Sequence, residues 1–255
     1  MAQRTGTASQ DDASAGNGST SVTVPADATA VVAFWSHFDG NGGSTLSGLT
    51  LNGVSFFPAD SQLAEGATAD ESGVGVASLA SPATGSQTLA WTWSAGAARA
   101  EGGEIVLVYV KDVDIADLVR AAATDAQIST DNCSVNVASE ATDLLLAFAQ
   151  DFNEGTPDDD PALDGTVFIN DALLNLHSYD VSEVTPGAGS TTVNMTGEAF
   201  SAMAAVTLKA ATGASPGGNV PGRMRGFKLG QMADAEDEGR FNELDVRNWW
   251  REAFA

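Results

Sequence analysis

Ala30-Val31-Val32-Ala33-Phe34-Trp35 and Ile105-Val106-Leu107-Val108-Tyr109-Val110 are two nearly uninterrupted apolar runs of six residues. A strand with one wet face alternates apolar and polar side chains, whereas a short continuous run bounded by turn residues marks a strand covered on both faces. Around these runs the chain alternates. Ser21-Val22-Thr23-Val24-Pro25 reads as a half-exposed strand. Leu49 to Phe57 holds two short apolar segments about Asn52-Gly53, a dipeptide that favours the positive φ angles of a tight hairpin turn. Further strands are expected at Val74–Leu79, Gln87–Trp93 and Glu104–Val110, with Gly, Pro or Ser between them. This rhythm predicts an all-β protein.

The later half of the chain repeats the earlier one. Ser21-Val-Thr-Val-Pro-Ala-Asp-Ala-Thr29 and its following run match Ser134-Val-Asn-Val-Ala-Ser-Glu-Ala-Thr142 and Asp143-Leu-Leu-Leu-Ala-Phe148. Ser81-Pro82-Ala-Thr-Gly85-Ser-Gln-Thr-Leu-Ala-Trp91-Thr92 matches Thr185-Pro186-Gly-Ala-Gly189-Ser-Thr-Thr-Val-Asn-Met195-Thr196. Each copy closes on an apolar strand, the second at Met203–Leu208, so residues 21–111 and 134–211 read as two similar β units. Lys111 to Gln127 joins them without a Pro/Gly linker, which favours two halves sharing one core over two separate sandwiches.

The order of these segments, with Leu-x-Leu-Asn-Gly-Val-Ser-Phe, Val-Tyr-Val-Lys-Asp-Val-Asp and a closing Ala-Val-Thr-Leu-Lys, resembles a domain that recurs in phage structural proteins and bacterial surface proteins. The resemblance covers roughly Ser21 to Ala211 and implies a jelly-roll-like antiparallel β-sandwich. Its motifs are turns and strands without chemistry, so they speak to fold more than to function.

Composition narrows the function classes. Lys and Arg number 11 against 34 Asp and Glu in 255 residues, a net charge of −23, and such a field repels nucleic acid. The single cysteine, Cys133, excludes an intrachain disulfide and a thiolate metal cluster, and its strand context predicts a buried side chain rather than a nucleophile. Met1 to Thr20 is rich in Ala, Ser, Gly and Asp and reads as a flexible arm; it lacks the apolar run of a secretory signal. No stretch approaches the roughly 20 apolar residues that span a bilayer.

After Ala211 the texture changes. Residues 212–222 form a Gly/Pro linker, and 223–255 carry six of the eleven Lys and Arg. Val246, Trp249, Trp250, Ala253 and Phe254 fall on one helical stripe, with Glu243 and Arg247 four apart in the supporting order. Burial of two Trp and one Phe needs a substantial receiving surface to offset the ordering cost of about 1–2 kcal/mol per residue. That surface is either the chain's own sandwich or a groove in an assembly; the linker favours the assembly. The expected partner-binding set is Arg223, Arg225, Phe227, Lys228, Phe241, Leu244, Val246, Trp249, Trp250 and Phe254.

Other candidates have plainer explanations. His37 and His177 lie in opposite halves of the chain, outside any Gly-x-Ser-x-Gly or His-Glu-x-x-His pattern, and read as surface histidines at strand ends. Asp151, Asn153, Asp158 and Asp160 form the densest oxygen-ligand segment and are the one candidate calcium set, but they lack EF-hand spacing and read first as a solvated acidic loop. Trp91 and Trp93 share a strand face, so they are either a sugar-stacking platform or, more simply, core. The reading that follows is a non-enzymatic virion structural protein of a tailed phage or gene-transfer-like particle, made in the bacterial cytoplasm and displayed on the virion surface. It would serve as a capsid decoration, head fibre or tail fibre component, as one of several copies among other virion proteins, attached through its C-terminal arm. The alternative is a carbohydrate-binding or adhesive module for host surface glycans. Neither needs a cofactor, calcium aside.

Overall fold

The computed structural model describes residues 2–10, 17–38, 45–57, 64–67, 72–94, 103–127, 132–152, 162–173, 177–196 and 200–211. The first copy of the repeat contributes β1 (Gln3–Gln10), β2 (Gly18–Val24), β3 (Ala30–Phe38), β4 (Leu46–Leu51), β5 (Val54–Ser55), β6 (Ala64–Ala67), β7 (Ser72–Ala80), β8 (Gly85–Trp93) and β9 (Gly103–Lys111). The second contributes β10 (Val119–Gln127), β11 (Asn132–Ser139), β12 (Leu144–Phe152), β13 (Ala162–Leu163), β14 (Thr166–Leu173), β15 (His177–Val184), β16 (Gly189–Thr196) and β17 (Phe200–Leu208). The expected all-β fold is what forms. The expected C-terminal helix and the linker before it lie outside the described residues.

Four antiparallel sheets stack as layers. In the first copy β1-β9-β3-β7-β6 faces β2-β8-β4-β5; in the second β10-β17-β12-β15-β14 faces β11-β16-β13. The strand orders of the two five-stranded sheets correspond one for one, with β10 standing for β1, β12 for β3 and β17 for β9, so the repeat read in the sequence is a repeat of architecture. Within each copy, neighbouring strands come alternately from the two ends of the copy, the jelly-roll order. Asn52 and Gly53, with φ of 50° and 79°, form the expected tight hairpin between β4 and β5.

Each copy has its own core, and the two five-stranded sheets pack back to back to make a third. Odd-numbered Val31, Ala33 and Trp35 of β3 point into the first sandwich, while even-numbered Ala30, Val32 and Phe34 point into the central core. β12 divides in the same way, Leu145 and Ala147 going to the second sandwich and Leu144, Leu146 and Phe148 to the centre. This double burial is why the apolar runs are continuous. At about 1.5–3 kcal/mol for each large aliphatic side chain removed from water, the central layer is a major term in holding the copies together. The choice between separate sandwiches and a shared core resolves as both at once.

Two expectations need correction. Residues 1–20, read as a flexible arm, include β1, which pairs with β9 from Gln3 to Gln10, and the start of β2. Main-chain hydrogen bonds to an already buried strand order β1, and its exposed polar side chains hide this from composition. The sequence match of Ser21 to Ser134 is also out of structural register. Val24 pairs with Gly85 and Ser139 with Gly189, which makes Ser139, not Val137, the counterpart of Val24. A shift of two residues keeps every side chain on its face, so the apolar pattern is blind to it.

Candidate functional site

The molecule has two unlike poles. β3 and β12 both end at one of them: the cleft that joins Ala2 and Arg4 to Asp143 and Leu144 brings the starts of the two strands together at the other. At the first, the loop pole, lie the strand ends that flank residues 11–16, 39–44, 68–71, 95–102, 128–131, 153–161, 174–176 and 197–199, all of which are outside the described residues. Short turns close the opposite pole, among them Pro25–Thr29, held by Ala28 N donating to Pro25 O, and Glu140–Asp143, held by Asp143 N donating to Glu140 O.

Charge follows the same division. All four described Lys and Arg residues, Arg4, Lys111, Arg120 and Lys209, sit at the turn pole. Lys111 Nζ lies 2.9 Å from Asp27, whose carboxyl is held below its ordinary range chiefly by that hydrogen bond. Arg120 bridges Glu140 at 3.1 Å and the buried Asp143; Lys209 pairs with Asp117. The Arg4 guanidinium lies 4.0 Å above the Phe168 ring, beside a cleft of about 400 Å³ between the two sandwiches. Ala211, whose N–H donates to Asp112 O, leaves from this pole toward residues 212–255.

The loop pole carries buried polar groups. In the central core Phe34 stacks on Phe148 at 5.7 Å and 12°, and Phe148 on Tyr179 at 5.7 Å. Two residues further along, Ser36 of β3 and Gln150 of β12 are each 1% exposed; Ser36 is in register with the equally buried Glu104, and Gln150 with Tyr179. On the other face of β3, His37 is buried with its ring 5.7 Å from that of Trp93, edge to face. The counterpart of His37 in the second copy is Asp151, which accepts a hydrogen bond from Ser201 Oγ at 3.2 Å. Cys133 Sγ donates to Ser201 O at 3.3 Å, and burial pushes this thiol up to about 12.

These positions revise several sequence expectations. His37 is not a surface residue: Gly73 opposite it leaves room for the imidazole, since a Cβ there would stand 2.2 Å from His37 Cε1. Asp151 is not part of a solvated loop but ends β12 inside the second sandwich. Its proposed calcium partners Asn153, Asp158 and Asp160 lie outside the described residues, and among the described residues no group of three or more His, Cys, Asp or Glu is arranged to hold a metal. Trp91 and Trp93 are buried in the first core, so the plainer of the two readings for them holds and no sugar platform forms. Cys133 is buried as expected. His177 opens β15, paired in register with Phe152 and Leu173. The set Arg223, Arg225, Phe227, Lys228, Phe241, Leu244, Val246, Trp249, Trp250 and Phe254 falls outside the described residues.

Sequence reasoning missed Ser36, Glu104, Gln150 and Asp180 as buried polar groups. The available signal was polar residues at the ends of doubly buried runs, a place where strand ends ordinarily reach water. A scan against protein-family models matches none, and no curated protein is similar to the chain at a significant level.

Proposed function

We propose that the chain is a non-enzymatic display protein of a virion, a tailed phage or gene-transfer-like particle, fixed through residues 223–255 and projecting a double β-sandwich outward. The resemblance in the sequence supplies the particle. The observation that carries the anchoring is the polarity of the body: Ala211, the last described residue, is at the turn pole, while the strand ends that flank eight further segments lie at the opposite pole. A protein held by its tail in this arrangement presents those segments to the surroundings. Loops on a rigid scaffold are where recognition is usually placed. A second reading is recognition of host glycans at this pole. It is compatible with the first.

Deleting residues 222–255 tests the anchor. The truncated chain is expected to keep the β-rich circular dichroism spectrum and to disappear from purified particles. Incorporation at the level of the full chain rejects the attachment.

A further inference from the structure

The two outermost sheets hold no Asp, Glu, Lys, Arg or His in any of their seven strands. In a protein of net charge −23, 18% of whose residues are charged, this is where charge would be expected, since the outer face of each sheet is solvated and surfaces ordinarily carry roughly 25–35% charged residues. On the four-stranded sheet the outward residues include Ser19, Ser21, Thr23, Ser86, Thr88 and Thr92. On the three-stranded sheet they include Ser134, Asn136, Ser190, Thr192, Asn194 and Thr196. Among the described residues, carboxylates stand at the margins of the latter, where Asp164 accepts from Asn194 and Asp125 from Ser134 N.

We propose that these two faces are contact surfaces for further copies of this chain. Two bodies that each carry −22 over residues 1–212 repel in most orientations, and contact through a charge-free face avoids placing carboxylates against carboxylates. The chemistry is also self-complementary. A hydroxyl offers one donor and two acceptor sites and an amide offers both kinds, so an array of Ser, Thr and Asn pairs with a copy of itself, as Ser21 and Ser86 already do at 3.1 Å and Ser134 and Asn194 at 3.0 Å. Nothing on either face attracts a nucleic acid or a lipid headgroup, and no aromatic ring faces outward there to stack on a sugar. With strands about 4.8 Å apart and about 3.3 Å per residue, the four-stranded face spans roughly 380 Å² and the three-stranded face roughly 290 Å². A standard interface needs about 800 Å² per partner, so a single contact is weak. The faces lie on opposite sides of the four-layer stack, and copies held at high local density would join into rows by using both. The inference rests on the described sheets alone and stands apart from the anchor.

Sedimentation of the full chain over increasing concentration, at about 0.05 and 1 M NaCl, tests it. Association is expected to strengthen with salt, because the screening length falls from more than 10 Å to about 3 Å. The double variant Thr88→Lys/Asn136→Lys brings the net charge closer to zero, yet puts like charges against each other in any pairing of the faces. It is expected to weaken association by about tenfold or more. Ala116→Lys, which adds one positive charge at the exposed turn pole, is expected to leave association unchanged or strengthen it. If the double variant associates as Ala116→Lys does, or if the wild type stays monomeric at the highest concentration and salt, the proposal fails. Retention of the wild type on neutral glucan beads, lost in the double variant, would assign the faces to a sugar and equally overturn it. Circular dichroism establishes that each variant folds, and Ser21→Lys, on the same face, replaces Thr88→Lys if that substitution does not.

Discussion

Trp35 and Gly75 are register partners across β3 and β7, and the indole occupies the space of the missing side chain: a Cβ on Gly75 would lie 2.1 Å from Trp35 Cζ2. In the second copy the same pair is Ala149 and Asp180. The second copy therefore fills this position with much less side-chain volume and places a buried carboxylate where the first has an apolar ring. At Tyr109 and Cys133, burial raises both acids, from 10.0 to about 12 for the phenol and from 9.0 to about 12 for the thiol. Because the folded values lie above the unfolded ones, both groups contribute stability that is fully present below about pH 9 and is lost as pH rises through about 12. Urea unfolding midpoints are therefore expected to fall between pH 8.5 and 11.5, and to fall less steeply in Tyr109→Phe and Cys133→Ala; an unchanged slope in both variants would contradict the assignment.

Edges are the hazard of a sheet protein, and three of the four edge strands of the buried five-stranded sheets are interrupted by register shifts: β1 between Arg4 and Gly6, β10 between Val119 and Ala121, and β14 between Val167 and Ile169. The fourth, β6, is four residues long. Such interruptions oppose continued strand pairing, which suits a molecule whose contacts we assign to faces instead. β1 itself covers β9, the most apolar strand of the first copy. Removing residues 1–10 is expected to lower the thermal midpoint by several degrees and to increase light scattering on heating, because the unpaired backbone of β9 becomes an open edge. A free arm could be removed without either effect.

At the scale of the whole molecule, the central core makes the two sandwiches one folding unit. β17 lies over β7, β10 over β6, and the Phe34–Phe148 stack sits between β3 and β12. Phe148→Ala is expected to cost about 3–5 kcal/mol and to lower one common unfolding transition. Two separated transitions, with only one displaced, would show that the copies unfold independently. The net charge acts at the same scale, since its self-repulsion is spread over the body while the described cations are gathered at the turn pole.

Much of this architecture was legible from residue order. The alternation of Ser21–Val24 and the unbroken Ala30–Trp35 and Ile105–Val110 distinguish outer from inner sheets, and Asn52-Gly53 and the paired Gly85 and Gly189 mark turns. These are local properties, set by side-chain period and by backbone angles within a few residues. The candidate site was far less legible. Whether His37 meets water, which strand ends share a pole, and that Ser139 rather than Val137 answers Val24 all depend on pairing between residues far apart in the chain. A strand's pattern repeats every two residues and carries no record of its partner. Register, polarity and the back-to-back packing of the two copies were therefore decided only when the tertiary structure brought distant strands together.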